Sequence, residues 1–297
     1  MLLTPGPTPV PEFVRKAMAD ITIHHRTEEF EAIFKNTREL LIELYDMPEA
    51  VMLASSGTGA MEACVTNLTH KKALTINSGK FGERFGKICA AFGIDYTEIK
   101  NEWNTPVSVE AVVEAIKADS SIDAVFIQIC ESAGGLRHPV EQIAAEIKKI
   151  NKDITIVADG ITAVGVEKID TTNLDAVVTG SQKALMLPPG LAMIGFSNAA
   201  VAKIESKPRG YYFNLATEIK KQRTNTTAWT AATTLIIGLG AILEKLKADG
   251  FDNLYKQTAL RANATREALK AIGFEIYPKT PANAMTTVYT EQSSAID

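Results

Sequence analysis

Four short segments of this sequence carry side chains that could do chemistry, and each lies where a β-strand is predicted to end. The first, Ala54–Glu62, leads from a strand into a helix. Its glycines permit a tight turn, and the free N–H groups of the helix start, with the hydroxyls of Ser56 and Thr58, can hold a phosphate. A plain strand-to-helix turn fits the segment too. A dinucleotide-binding loop fits it less well, because the third small residue of that motif is missing.

The other three segments place an aromatic ring, a carboxylate and an amine at strand ends. Phe81 lies in the glycine-flanked loop Asn77–Gly82, where it is either a packing anchor or a platform for a flat ring. Asp159 closes an apolar strand, and such a carboxylate either caps the next helix or faces a cation or an N–H⁺ donor. Lys183 follows a strand and precedes an apolar, proline-rich stretch. Most lysines are solvated, but one held in apolar surroundings can lose its proton and attack an aldehyde.

Together, these four features match the needs of one cofactor, pyridoxal phosphate. This cofactor needs a lysine amine for its aldehyde, an acid beside its pyridine nitrogen, an aromatic ring against its face and a cradle for its phosphate. Lys183, Asp159, Phe81 and Ser56–Thr58 could supply them, in that order. We therefore expect a pyridoxal phosphate site.

The elements that must position these residues alternate between short β-branched runs and longer helical patterns. Seven strands are predicted, at Val51–Ala54, Ala73–Asn77, Asp95–Ile99, Asp123–Ile129, Ile154–Ala158, Asp175–Thr179 and Leu191–Phe196. Helices are predicted at Glu28–Tyr45, Val109–Ala118 and Val140–Ile150. This alternation predicts an α/β fold with a mostly parallel seven-stranded sheet and helices on both faces. In such sheets, ligands bind beyond the carboxyl ends of the strands.

The pattern changes after residue 230. Two long helices that end at glycines are predicted, followed by two strands: Ala231–Ala248, Asn253–Ile272, Phe274–Tyr277 and Met285–Thr290. We expect three parts in the chain. An N-terminal segment, residues 1–20, joins a small domain; residues 21–235 form the large, cofactor-binding domain; and residues 236–297 form part of an α+β small domain.

Composition excludes several classes of protein. With 46% hydrophobic and 22% charged residues, the 297-residue chain can bury a core and is not disordered. A net charge of −4 without long basic runs disfavours nucleic-acid binding, and no apolar run is long enough to span a membrane. The three cysteines, Cys64, Cys89 and Cys130, are too widely spaced for a disulfide framework or a zinc site. We expect no metal, no nucleic-acid or membrane partner, and a cytoplasmic location.

Several motifs resemble those of a known family, the class V aminotransferases of fold type I, most closely the alanine–glyoxylate and serine–pyruvate aminotransferase branch. They occur in the family's order from residue 3 to the end: Thr4-Pro-Gly-Pro7, His24-His-Arg26, Ser56-Gly-Thr-Gly-Ala60, Gly79-Lys-Phe-Gly82, and Gly180-Ser-Gln-Lys183 with Pro188-Pro-Gly190. The Gly-Ser-Gln-Lys motif with its Pro-Pro-Gly is the most specific of them. The resemblance implies a fold type I large domain with pyridoxal phosphate as cofactor.

The resemblance also implies roles for the two catalytic residues and their neighbours. Lys183 resembles the lysine that forms a Schiff base with the cofactor, and Asp159 the partner of the pyridine nitrogen. Gln182 resembles a phosphate or ring contact beside that lysine. Phe81 takes the place of the stacking aromatic residue.

The remaining cofactor contacts implied by the resemblance concern the phosphate and the partner subunit. Ser56, Gly57 and Thr58 resemble the phosphate cradle. Thr230 resembles a phosphate contact that is donated by the other subunit, which implies a homodimer with shared active sites. Ser132 is expected to contact the cofactor.

Two departures from the family pattern stand out. The family commonly reads Glu-Ser/Thr-Ser-Thr-Gly where this chain has Glu131-Ser-Ala-Gly-Gly135, so that Ala133 lacks a hydroxyl that Ser132 would have to replace. Family members also continue into a small domain with an arginine that pairs with the substrate carboxylate, and we expect that arginine to lie beyond Asp297. Arg26 is the alternative in this sequence, although packing at a helix start is an equally good role for it.

The resemblance implies transamination. The expected reaction moves an amino group from alanine or serine to glyoxylate or pyruvate, with the Lys183 amine as general base and then general acid. Three alternatives stay open at this point. One is a cysteine desulfurase, which needs a late, mobile cysteine, whereas all three cysteines here precede residue 131. The others are a lyase or aminophosphonate transaminase of the same fold, and a catalytically impaired cofactor-binding or structural subunit.

Overall fold

A computed structural model describes residues 4–290, and positions 1–3 and 291–297 of the predicted terminal segments lie outside them. The strands are β1 (Glu49–Ala54), β2 (Lys72–Asn77), β3 (Tyr96–Lys100), β4 (Ile122–Gln128), β5 (Cys130–Glu131), β6 (Leu136–Arg137), β7 (Thr155–Asp159), β8 (Ala176–Gly180) and β9 (Leu191–Phe196). The helices are α1 (Glu12–Met18), α2 (Glu28–Tyr45), α3 (Gly57–Leu68), α4 (Gly82–Ala91), α5 (Val109–Ala118), α6 (Val140–Ile150), α7 (Asn198–Ser206), α8 (Leu215–Gln222), α9 (Thr233–Asp249) and α10 (Phe251–Ala271).

Seven strands form one sheet in the order β1-β9-β8-β7-β4-β2-β3. Within the described chain, β9 runs antiparallel to both of its neighbours and the other neighbouring pairs are parallel. The central strands β7 and β8 are buried along their whole length, as expected for strands covered on both faces. The prediction of an α/β fold with a mostly parallel seven-stranded sheet is confirmed.

Helices cover both faces of this sheet and enclose a separate apolar core on each side. One core includes Phe30 and Phe34 of α2 together with Leu239 and Leu243 of α9. The other includes residues of α3, α4, α7 and α8, with Phe126 of β4 packed into it. The sheet is therefore the middle of three layers, packed against helices on both faces.

Local sequence explains where several helices begin and end. The Thr27 hydroxyl accepts a hydrogen bond from Phe30 N at the start of α2, and Ser108 caps α5 in the same way. Gly250 separates α9 from α10 with a φ of 84°, a conformation that glycine adopts without steric cost. The seven predicted strands and the three central helices lie within two residues of their predicted bounds.

The two predicted strands after α10 are not strands in the structure. The segments 274–277 and 285–290 share one isolated bridge, between Ile276 and Val288. Two hydrogen bonds flank that bridge, from Tyr277 N to Thr287 O and from Tyr289 N to Glu275 O. The backbone between the segments bonds to loops of the sheet-containing region, where Lys279 N donates to Asn104 O and Ala282 N to Gly135 O, both at 2.9 Å. Prolines at 278 and 281 lack the N–H that a regular ladder needs, and this segment meets β6 through a single isolated bridge between Leu136 and Pro281.

Among residues 4–290, no helix is both long and apolar enough to cross a lipid bilayer. In the same part of the chain, no group of His, Cys, Asp and Glu side chains is arranged to hold a metal ion. All three cysteines are buried free thiols.

Candidate active site

Five parallel strands, β1, β2, β4, β7 and β8, end at the same edge of the sheet, and a cavity of about 170 Å³ lies there. Eight of the nine predicted cofactor residues line it: Ser56, Gly57, Thr58, Phe81, Ser132, Asp159, Gln182 and Lys183. Arg84, Cys130, Ile161 and Thr162 complete the lining. The fold thus brings together side chains that are up to about 130 residues apart in sequence, as expected for ligand sites in open parallel sheets.

One end of the cavity is the first turn of α3. Ser56 precedes this helix in an extended conformation, and its side chain makes no capping hydrogen bond. The first N–H groups of a helix have no partner within it, so those of Gly57 and Thr58 are available to an anion, together with the Ser56 hydroxyl and the Thr58 hydroxyl, whose oxygen accepts from Arg84. A Cβ at Gly57 would lie 2.4 Å from Ile161 Cδ1, which shows how tightly the cavity wall closes on this turn.

Lys183 lies in a loop that is held by hydrogen bonds within the loop and by hydrogen bonds from the N-terminal segment. The Ser181 hydroxyl donates to Pro188 O at 2.7 Å, and the Thr8 hydroxyl donates to Lys183 O at 2.8 Å. The N-terminal segment lies so close that a Cβ at Gly6 would be 2.8 Å from Lys183 Cδ. Burial lowers the pKa of Lys183, although the nearby Cys130 and Asp159 oppose this shift.

Asp159 ends β7 and is 4% exposed. Its Oδ1 accepts a hydrogen bond from Ile161 N at 2.9 Å, so it does stabilise the turn that follows the strand. Burial raises the pKa of Asp159 to about 7, and Glu131 raises it further, while Arg84 and Lys183 lower it. A buried carboxylate with so little compensating charge is suited to a cationic N–H donor in the cavity.

Phe81 lies at the start of α4, beside an arginine that the sequence interpretation missed. The Arg84 guanidinium carbon lies 4.8 Å from the centroid of the Phe81 ring, and Arg84 Nη1 donates to Thr58 Oγ1 at 2.8 Å. Arg84 thus links the aromatic ring to the helix start at which a phosphate would bind. The available signal was its spacing, because a residue three positions after Phe81 is one turn further along the same helix.

Two residues considered from the sequence lie elsewhere in the single chain. Thr230 is exposed and lines a separate crevice with Tyr212 and Trp229, so within one chain it does not reach the Lys183 cavity. Arg26 is exposed just before α2 and is not part of the cavity lining. The neighbouring Thr27, not Arg26, caps that helix.

Comparison with known proteins identifies the family. The family model described as aminotransferase class-V matches residues 2–296. The chain belongs to the class V aminotransferases. An uncharacterized aminotransferase of Helicobacter pylori is 45% identical over 297 residues, covering 100% of this chain and 80% of that protein.

Two further comparisons bear on the activity of this class V aminotransferase. An L-aspartate–glyoxylate aminotransferase of Paracoccus denitrificans is 29% identical over 305 residues, covering 99% of this chain and 76% of that protein. The crystal structure of a subgroup IV aspartate aminotransferase from Thermus thermophilus superposes with a TM-score of 0.92 at 30% identity, covering 98% of this chain and 83% of that one. The resemblance seen in the sequence motifs is thus confirmed, and so is the activity class: the chain is a pyridoxal-phosphate-dependent aminotransferase.

The residues of the cavity fit the cofactor that this family implies. Gln182 Oε1 is buried without a hydrogen-bond partner among the described residues, and it lies beside Lys183 on the cavity wall. The first turn of α3, which has no side-chain cap, suits a phosphate. The raised pKa of Asp159 suits a pyridinium N–H, and the half-buried Phe81 offers a ring face. These donors and acceptors complement a phosphorylated pyridine aldehyde at each of its functional groups.

Proposed function

We propose that this class V aminotransferase transfers the amino group of a small amino acid, alanine or serine, to a small 2-oxo acid, glyoxylate or pyruvate. The observation that carries the proposal is one cavity that gathers a lysine of lowered pKa, a buried carboxylate and an open helix start. The names of the relatives support the acceptor, since a serine–glyoxylate aminotransferase of Methylorubrum extorquens is 29% identical over 294 residues. The Paracoccus relative adds aspartate to the donors that require testing.

In the proposed site, Ser56, Gly57 and Thr58 at the first turn of α3 would hold the phosphate with their N–H and hydroxyl donors. Phe81 would offer its ring to one face of the cofactor. Gln182, after β8, and Ser132, after β5, would contact the cofactor from their loops. Lys183 lines the same cavity, so its amine would be within reach of the cofactor's aldehyde.

Lys183 and Asp159 divide the proton chemistry. When bound, the cofactor withdraws electrons from the substrate α-carbon, which acidifies the proton there. Burial lowers the pKa of Lys183, so a larger fraction of its amine is uncharged at neutral pH, free to accept that proton and to return it afterwards. The carboxylate of Asp159 would hold a proton on the ring nitrogen of the bound cofactor, which would keep the ring able to accept electrons.

We also propose that the enzyme is a homodimer in which Thr230 completes the partner's phosphate site. In support, Thr230 is exposed and lies in an aromatic crevice whose rings Tyr212 and Trp229 are stacked 6.0 Å apart. Exposed aromatic rings of this kind are enriched at protein interfaces. The three unpaired, buried thiols support a reducing, cytoplasmic compartment.

The domain boundaries of the sequence interpretation remain a proposal. Residues 21–235 contain the sheet and every residue of the Lys183 cavity. Residues 236–290 contain most of α9, all of α10, and the irregular segment whose backbone bonds to loops within residues 21–235. This division supports a large domain that binds the cofactor and a smaller region packed against it.

The test has two parts. Purified protein is loaded with pyridoxal phosphate, reduced with borohydride and mapped by peptide mass spectrometry, and we expect the cofactor on Lys183. A panel of alanine, serine and aspartate with glyoxylate or pyruvate is then followed by chromatography of the products. Cofactor on a different lysine would refute the site, and turnover of none of these pairs would refute the proposed substrates.

A further inference from the structure

A second buried carboxylate lies behind the cavity wall, and the proposed chemistry does not use it. Glu131 is fully buried, in the two-residue strand β5 that follows β4. Its Oε2 accepts hydrogen bonds from Phe81 N at 3.0 Å and from Gly82 N at 2.7 Å. Its Oε1 accepts one from Ala133 N at 3.0 Å. One side chain thus satisfies three backbone donors.

These donors belong to two different loops of the cavity. Phe81 and Gly82 follow β2 and begin α4, whereas Ala133 lies in the turn between β5 and β6, next to Ser132. Both Phe81 and Ser132 line the cavity, one from each loop. Glu131 therefore connects the backbone that carries the aromatic ring to the backbone that carries the serine.

The loop after β2 closes tightly on this carboxylate. A Cβ at Gly79 would lie 2.6 Å from Glu131 Cδ and Cγ, so glycine is needed for the approach. The φ of Gly79 is not positive, so space rather than backbone conformation requires the glycine. Gly79 and Glu131 belong to two separate sequence motifs that meet here.

An ionised carboxylate suits this position better than a neutral amide would. Burial raises the pKa of Glu131, while the N–H groups of Ala133, Gly82 and Phe81 and the charge of Arg84 lower it. Three N–H donors converge on acceptor-only oxygens. An amide in the same place would present its own NH₂ to at least one of those donors, leaving two donors facing each other.

We propose that Glu131 is a positioning residue for transamination: its carboxylate fixes the Phe81 ring and Ser132 relative to each other, and so sets the shape of the cofactor cavity. Glu131 does not line the cavity itself and acts through the two loops. The part of this inference that concerns the cofactor rests on the proposed cofactor site. The bridge between the loops is independent of that site and can be measured without the cofactor.

The experiment compares the parent with Glu131→Gln and with Glu83→Gln as a matched control. Glu83 is two residues from Phe81, but it pairs with Lys80 and Lys87 at the surface and not with the loop amides. In cofactor-free protein, hydrogen exchange in peptides covering 79–84 and 131–135 should accelerate about 10-fold or more in Glu131→Gln, since hydrogen bonds to charged groups are among the stronger ones. The control should exchange like the parent.

The cofactor supplies the second measurement. In Glu131→Gln, the dissociation constant of pyridoxal phosphate should rise about 10-fold, and the visible circular dichroism of the bound cofactor should weaken, because the ring face is no longer held. The melting temperature of the cofactor-free protein should change by only a few degrees. A parent that does not bind the cofactor would refute the proposed function and leave the exchange result to decide the bridge.

A second variant keeps the test decisive if Glu131→Gln does not fold. Gly79→Ala leaves Glu131 chemically intact, but its methyl group displaces the carboxylate from its donors. We expect the same faster exchange at 79–84 and the same weaker cofactor binding. Parent-like exchange in every folded variant of the pair would overturn the bridge, and faster exchange with unchanged cofactor affinity and dichroism would overturn the positioning role.

Discussion

Asp159→Asn should have opposite effects on catalysis and on the stability of the cofactor-free protein. Asparagine keeps an oxygen that can accept from Ile161 N, so the turn after β7 should persist. It cannot hold a proton on the pyridine nitrogen through an ion pair. Loss of a transition-state interaction of several kcal/mol predicts a fall in transamination rate of about 10²-fold or more, with much of the cofactor affinity retained.

The effect on stability follows from the raised pKa of Asp159. Its pKa is about 7 in the folded protein against an ordinary value of 3.8 for aspartate, so the unfolded chain releases this proton first as the pH rises. The parent therefore loses stability from this group between about pH 4 and pH 7. At 1.36 kcal/mol for each pKa unit, the loss is up to about 4 kcal/mol at pH 8. The variant lacks the carboxylate and should be more stable there by up to that amount.

Two assays check this prediction. Urea unfolding of cofactor-free protein at pH 5 and pH 8 should show a larger gain for the variant at pH 8, and steady-state turnover should show the loss of rate. Asp153→Asn, an exposed change just before the same strand, is the control and should alter neither quantity. Turnover within about threefold of the parent would refute the assigned role in catalysis, and equal stability at both values of pH would refute the electrostatic argument.

Three further changes test other parts of the structure. Arg84→Met removes the hydrogen bond to Thr58 and the contact with the Phe81 ring, so pyridoxal phosphate affinity, measured by fluorescence titration, should fall about 10-fold; an unchanged affinity would contradict the link. Gly6→Ala should displace Lys183 and slow cofactor attachment about 10- to 100-fold in stopped-flow absorbance, with little change in melting temperature. Burial lowers the pKa of His138 to about 4, so the unfolded chain gains this proton first as pH falls, and the parent should lose up to about 3 kcal/mol between pH 6.5 and pH 4. His138→Gln should show a flatter pH dependence in urea unfolding, and an identical profile would refute the assignment.

The sequence was most informative where local pattern decides local structure. Leu191–Phe196 and Glu28–Tyr45 have the bounds that were predicted, because an uninterrupted apolar run and a capped amphipathic pattern each favour one kind of element. The sequence pattern did not predict that β9 is antiparallel to its neighbours. The direction of a strand depends on the end of the sheet from which the chain enters it, and an apolar run looks the same in either direction. The segments 274–277 and 285–290 look like strands but share only one isolated bridge among the described residues, and the backbone between them bonds to loops near the sheet. The pairing of such a short segment depends on its neighbours in space, which the local pattern does not show.

The candidate site divides in the same way. Residue type and strand-end position were enough to predict Lys183, Asp159 and Phe81, because the chemistry of a lysine, a carboxylate and an aromatic ring is local to each side chain and parallel strands end at a common edge. Which other residues contact them was decided by tertiary structure. Arg84 reaches Thr58 across 26 residues of sequence, and the carboxylate of Glu131 meets the N–H of Phe81 across 50. Such contacts join residues that are too far apart in sequence to share a short motif. The burial that raises the pKa of Asp159 likewise exists only once the layers have packed.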